Sequence, residues 1–164
     1  MSDRSYKPIS KADLRSLAKI AEVDRVDLFL RRKETGRLYA KRLFVVALCQ
    51  GAALHFLDGK NGIKDFDVWS FYRANPKRPF PARRVGKVDF GNAKFGTAVG
   101  HPTFIGRCVD LIGRSIEAKD FSDPVAVLRD YLRTRRTMSA KCLSDKAMVI
   151  IHPPELLGQI VWPE

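Results

Sequence analysis

At 164 residues the chain is long enough to bury the core of one domain, and it is short for two domains of ordinary size. Its residues are 45% hydrophobic and 10% aromatic, as in globular proteins, and no apolar run approaches the roughly 20 residues of a membrane helix, so we expect no membrane partner. The formal net charge of +12 favours nucleic acid or another phosphate-rich partner, with a solvated basic surface as the alternative.

Three scattered cysteines, Cys49, Cys108 and Cys142, provide neither a disulfide framework nor a Cys-rich zinc site. The first eight residues lack the apolar stretch of a secretory signal. We therefore expect a cytoplasmic protein. The oligomeric state is not readable from the sequence.

The first predicted elements are N-terminal helices over residues 11–34. Ser10 and Asp13 form a capping-box-like start, and apolar residues at helical spacing follow to residue 21. A second helical pattern begins after Asp24 and breaks near Gly36.

Residues 43–49 form a short, almost wholly apolar run that indicates a buried strand, although the preceding helical segment could extend into it. We prefer the strand because Gly51 ends it, and the residues from Ala52 onward indicate a short helix. The aromatic and branched residues of 65–72 indicate the next strand. Alternate side chains of a strand share a face, so Asp65 and Asp67 should project together.

The segment 74–84 contains three prolines and is expected to be an irregular loop. It combines cations with nearby aromatic residues, a composition that suits nucleic acid as well as it suits a solvated loop. The cations that we assign to a nucleic-acid surface are Lys77, Arg78, Arg83 and Arg84.

The C-terminal half is predicted to hold two more strands, over residues 85–90 and 105–112, followed by helices within residues 123–150. Asp110 lies between apolar neighbours in the second of these strands. Asp123-Pro124 is a helix start, and we expect a last helix, carrying Lys146, over about 138–150.

Asp65, Asp67 and Asp110 are the candidate catalytic residues and metal ligands. Three clustered carboxylates repel one another unless a cation lies among them, and oxygen-only ligands suit Mg²⁺, which keeps other positions for water and phosphate. The chemistry indicated is metal-dependent phosphoryl or nucleotidyl transfer. The alternative is a pair of solvated strand-end acids at 65 and 67 that are neutralised by nearby Arg or Lys.

The order Gly51-Ala52, a spacer, Asp65-Phe66-Asp67-Val68 and later Val109-Asp110-Leu111 resembles the polymerase-beta-type nucleotidyltransferase superfamily, as a small single-domain bacterial member. The resemblance covers residues 43–112. It implies an α/β (α+β) fold, a short mixed sheet with helices packed on one side, in one domain spanning residues 1–164. It also implies Mg²⁺ or Mn²⁺ and a nucleoside triphosphate such as ATP.

In this resemblance Asp65 and Asp67 hold both metals, and Asp110 binds the catalytic metal and helps to deprotonate the attacking hydroxyl. Gly51, Ala52 and Lys146 are the candidate phosphate-binding residues. Ala52 departs from the family, which usually has Ser or Gly there, so the side chain cannot donate a hydroxyl although its backbone N–H remains.

We therefore expect a nucleotidyltransferase that moves a nucleoside monophosphate to a hydroxyl acceptor, with RNA, especially a tRNA end, favoured by the basic charge. The alternative is a nucleotidyltransferase fold with weak or no catalysis that serves as a nucleic-acid-binding module or in a toxin–antitoxin or defence system.

Overall fold

The computed structural model describes residues 3–81 and 85–164, with the backbone alone for Val85. Its helices are α1 (Lys11–Arg31), α2 (Lys33–Tyr39), α3 (Gln50–Asp58), α4 (Pro124–Thr134) and α5 (Met138–Leu143), with a 3-10 turn at Pro154–Leu156. Its strands are β1 (Leu43–Cys49), β2 (Phe66–Arg73), β3 (Val85–Asp89), β4 (Cys108–Ile116), β5 (Met148–His152) and β6 (Ile160–Trp162).

The strands form one six-stranded mixed sheet in the order β3-β4-β2-β1-β5-β6. Strand β2 is antiparallel to β1 and parallel to β4, and the remaining neighbours are antiparallel. The expected α+β architecture with a mixed sheet is confirmed. The central strand β1 is apolar throughout because both of its faces are covered.

Helices pack on both faces of the sheet, so the expectation of helices on one side is wrong. Val46 and Leu48 of β1 join a core with residues of α1 and α3. Val45 and Ala47 point the other way, into a second core that contains residues of α4 and α5. Because apolar side chains alternate on both faces, the strand cannot be half exposed, and each face needs its own helical layer.

The N-terminal helices differ from the prediction in their boundary. Ser10 Oγ accepts the backbone N–H of Asp13, whose carboxylate accepts the N–H of Ser10, so the capping box is formed. Helix α1 then runs through Asp24 to Arg31, and Gly36 lies inside α2 rather than at a break. No helix in the described residues 3–81 and 85–164 is long and apolar enough to cross a membrane.

The helix predicted over residues 138–150 is wrong in its second half. Helix α5 ends at Leu143, and the chain turns before it enters β5 at Met148. The apolar run of four residues from Met148 pairs with β1 in the centre of the sheet. A run that short fits a buried strand or a buried helix turn equally well, so periodicity alone could not decide.

Candidate active site

Two of the three candidate carboxylates lie side by side on neighbouring strands. In the parallel pair β2–β4, Asp67 stands opposite Asp110, and on the other side of β2 it stands opposite Cys49 at the end of β1. Asp65 directly precedes β2. The structure therefore brings the start of β2, the start of β4 and the end of β1 to one place.

The electrostatics of Asp67 show that all three carboxylates act on the same region. Burial, and then the charges of Asp110 and Asp65, raise the pKa of Asp67 to about 6, while Lys146 and Lys87 oppose the rise. Burial penalises the ionised form, and like charges add to the penalty. Ionisation of Asp67 is therefore costly without a further cation.

Lys87 is a site residue that the sequence did not reveal. It lies opposite Asp110 in the β3–β4 pair, and its Nζ is 2.7 Å from Asp110 Oδ1. This hydrogen bond raises the pKa of Lys87. The Lys87 side chain is 52% exposed whereas that of Asp110 is 14% exposed, so the lysine can move away into solvent and the carboxylate cannot. Only the long-range register of β3 could have identified it.

The thiols beside the carboxylates are not nucleophiles. Burial, followed by the charge of Asp110, raises the pKa of Cys108 to about 11. Burial also raises the pKa of Cys49, with a smaller contribution from Asp67. The thiolate is the reactive form of cysteine, and both groups therefore stay protonated near neutral pH.

The junction between β1 and α3 forms the cationic side of the site. A Cβ built on Gly51 would lie 3.9 Å from both Lys146 Nζ and Arg4 Nη1. Lys146 thus reaches the start of α3, from a turn rather than from the helix that we expected. Arg4 was missed, because only the bridge between Ser5 and Ile63 brings the N-terminal segment here.

Gly51 and Ala52 occupy different environments although they are adjacent. Ala52 is 2% exposed and packs in the core with α1, so its side chain faces the protein interior and not the cations. The N–H of Gln50 donates to Ala147 O at 3.0 Å, and Gln50 adopts a φ of 63°. The strand–turn–helix expected at Gly51 is present, and a serine at position 52 would bury its hydroxyl.

The proposed nucleic-acid loop has one exposed cation with no ion pair in the described residues, Lys77. Arg78 Nη1 lies 3.1 Å from Glu34 Oε2, and Arg83 and Arg84 lie outside the described residues. The neighbouring aromatic Phe80 is 2% exposed and stacks on Tyr72 at 4.4 Å. Its ring belongs to the core and is not a platform for bases.

The carboxylates fit a divalent cation by donor type and by charge. Their oxygens are the hard donors that Mg²⁺ and Mn²⁺ take. The pKa of Asp67 is raised even with Lys146 and Lys87 nearby, so a further cation would favour its ionised form. Within residues 3–81 and 85–164, no three His, Cys, Asp or Glu side chains are grouped tightly enough to hold a metal ion. Asp110 is instead paired with Lys87.

Comparison with known proteins gives no match. No protein-family model, no curated protein and no solved structure matches this chain.

Proposed function

We propose that the protein is a metal-dependent nucleotidyltransferase, which moves a nucleoside monophosphate from a triphosphate to a hydroxyl acceptor. The observation that carries the proposal is the pairing of Asp67 with Asp110, with Lys146 beside Gly51 at the neighbouring helix start. One side of this place is anionic and offers the oxygen donors that a metal takes, and the other is cationic and suits phosphate. A triphosphate–metal complex needs both.

Each residue has a role in this proposal. Asp65, Asp67 and Asp110 hold Mg²⁺ or Mn²⁺, which when bound neutralises charge on the triphosphate oxygens. Lys146 and the backbone N–H groups of Gly51 and Ala52 bind phosphate oxygens.

Asp110 takes the proton of the attacking hydroxyl, the acceptor oxygen bonds to the α-phosphorus, and pyrophosphate leaves. Lys87 would leave Asp110 when the metal–triphosphate complex binds, because the lysine and the metal are cations that compete for this carboxylate.

The test is incorporation of each α-labelled triphosphate in the presence of Mg²⁺ or Mn²⁺, with total cellular RNA or small hydroxyl compounds as acceptors. Asp67→Asn should abolish incorporation and keep the fold, because it removes one ligand charge with little change of shape. Asp27→Asn, at an exposed carboxylate on α1, is the matched control and should incorporate like wild type. If wild type shows neither incorporation nor metal-dependent triphosphate binding by calorimetry, the proposal fails.

RNA stays the acceptor that the net charge of +12 favours. The double change Arg83→Ala and Arg84→Ala should weaken RNA binding and flatten its salt dependence by about one to two units of slope. Arg31→Ala, which removes an exposed arginine on α1, is the control. Equal salt slopes in the double variant and in wild type would exclude these two arginines from the RNA surface.

A second candidate is a binding module of the same fold without catalysis. The observation that favours it is the pairing of Lys87 with Asp110, which already gives the carboxylate a cationic partner. Such a module binds triphosphate or RNA and shows no incorporation in wild type. The incorporation assay therefore separates the two candidates.

A further inference from the structure

A cleft among the described residues lies away from the three carboxylates. It has a volume of about 1000 Å³ and is lined by parts of segments 74–80 and 114–123 and by the exposed side of α4. Arg114, at its edge, follows Asp110 by four residues in β4, so both share one face of the sheet and lie roughly 13 Å apart along the strand. The cleft is thus a separate place on the same face.

Arg114 lines this cleft and carries an unpaired buried donor. Its Nη1 donates to Ser139 Oγ at 3.1 Å, and its guanidinium lies 5.6 Å from the centre of the Tyr131 ring. Its buried Nε has no hydrogen-bond partner within the described part of the chain. A buried N–H without an acceptor is rare in native proteins and indicates a missing partner. Carboxylate and phosphate are the groups that a guanidinium binds best.

The charge around the cleft differs from that of the whole protein. The chain has 30 basic and 18 acidic residues. Among the described residues that line the cleft, three are basic and four are acidic: Arg114, Lys119 and Arg136, and Glu117, Asp120, Asp123 and Asp130. A nucleic-acid backbone needs a cation for each phosphate it places in a groove. The described lining residues carry more acidic than basic groups, so they favour a ligand with both charges over a polyanion.

We propose that the cleft binds a small amphoteric molecule, with a phosphate or carboxylate group on Arg114 and an amine beside Glu117 and Asp120. The volume is within the range of small-molecule sites. Tyr131, held by its hydroxyl to Thr137 Oγ1 at 2.9 Å, provides an ordered apolar wall. None of Asp65, Asp67 and Asp110 lines the cleft, so this binding site does not depend on the proposed function.

The test is titration of the ¹⁵N-labelled protein with O-phosphoethanolamine, which carries one phosphate and one amine, and separately with inorganic phosphate and with ethanolamine. Signals of residues 114–123 and of Tyr131 should shift with O-phosphoethanolamine, at a Kd at least about tenfold below those of the two fragments. Arg114→Gln should raise the Kd for O-phosphoethanolamine and for inorganic phosphate by about tenfold or more. Arg31→Gln, at an exposed arginine of α1, should change neither.

Glu117→Gln provides a second variant, at an exposed residue whose replacement should leave the fold intact. It should raise the Kd for O-phosphoethanolamine by about two- to fivefold and should not raise the Kd for inorganic phosphate, because only the amine loses its partner. The proposal is overturned if no cleft signal shifts up to about 10 mM probe. It is also overturned if Arg31→Gln weakens binding as much as Arg114→Gln, or if a single-stranded RNA shifts the cleft signals more strongly than the probe.

No nucleotide is present in this titration, so its outcome is independent of the incorporation assay. If the probe binds the cleft and wild type shows no incorporation, the proposed function is excluded and the cleft site is supported. If wild type shows incorporation and the probe does not bind, the cleft site is excluded and the proposed function is supported.

Discussion

Replacing Asp67 with asparagine should stabilise the protein, although it removes a candidate catalytic group. Burial and the charges of Asp110 and Asp65 raise the pKa of Asp67 from 3.8 to about 6. A shift of about two units corresponds to about 3 kcal/mol, since each unit is about 1.4 kcal/mol. This is the free energy by which the ionised carboxylate opposes folding when no metal is bound.

The sign follows from the two pKa values. In the unfolded chain Asp67 loses its proton near pH 3.8, and in the folded protein it keeps the proton up to about pH 6. Between these values the folded state binds more protons, so its stability falls by about 1.4 kcal/mol per pH unit as the pH rises, and the loss is complete above about pH 6. Asparagine does not ionise and lacks this loss.

The measurement is urea unfolding of wild type and Asp67→Asn with a chelator present, at about pH 4 and about pH 7.5. The two proteins should be nearly equally stable at the lower pH. At the higher pH the variant should be more stable by up to about 3 kcal/mol, a midpoint shift of about 1–3 M urea. Asp27→Asn, an exposed control, should show no such difference. A pH-independent difference, or a variant less stable at about pH 7.5, would refute the argument.

Three further changes test other parts of the site and its support. Lys87→Met should lower the Kd for Mn²⁺ by about two- to fivefold in calorimetry, because the metal no longer competes for Asp110; unchanged affinity would contradict this competition. Gly113→Ala should cost about 1–3 kcal/mol in urea unfolding, because its Cβ would overlap the Phe80 ring; full stability would show that the ring can move. Ala52→Ser should cost about 1–3 kcal/mol by burying a hydroxyl and should not raise incorporation; higher incorporation would mean that residue 52 faces the phosphates.

The parts of the fold that local patterns determine were predictable from the sequence. The apolar run of β1, the turn at Gly51 and the alternation that sets Asp67 apart from Phe66 are all readable within ten residues. The pairing of Asp67 with Asp110 also agrees with the expectation that one strand would bring Asp110 beside the other acids.

What the sequence did not show depends on contacts between distant segments. Lys87 reaches Asp110 only through the register of β3 on β4, and Arg4 reaches Gly51 only through the bridge at Ser5. Asp24 resembled a helix start because aspartate is common at the N-cap of helices, but it lies inside α1. The strand at Met148 has no local signal that distinguishes it from a buried helix turn.

The parallel pairing of β2 with β4 also has a consequence for folding kinetics. The two strands are separated by residues 74–107, so they can meet only after a long loop closes, and such non-local parallel pairs form slowly. Asp67 and Asp110 repel each other only once β4 lies beside β2. The part of the energetic cost that comes from this repulsion, which adds to the larger cost of burying Asp67, is therefore imposed at one step of folding, the docking of β4. That step should slow as the pH rises through 6 and quicken with added salt or divalent cation, while the antiparallel pairing of β1 with β2 proceeds unchanged.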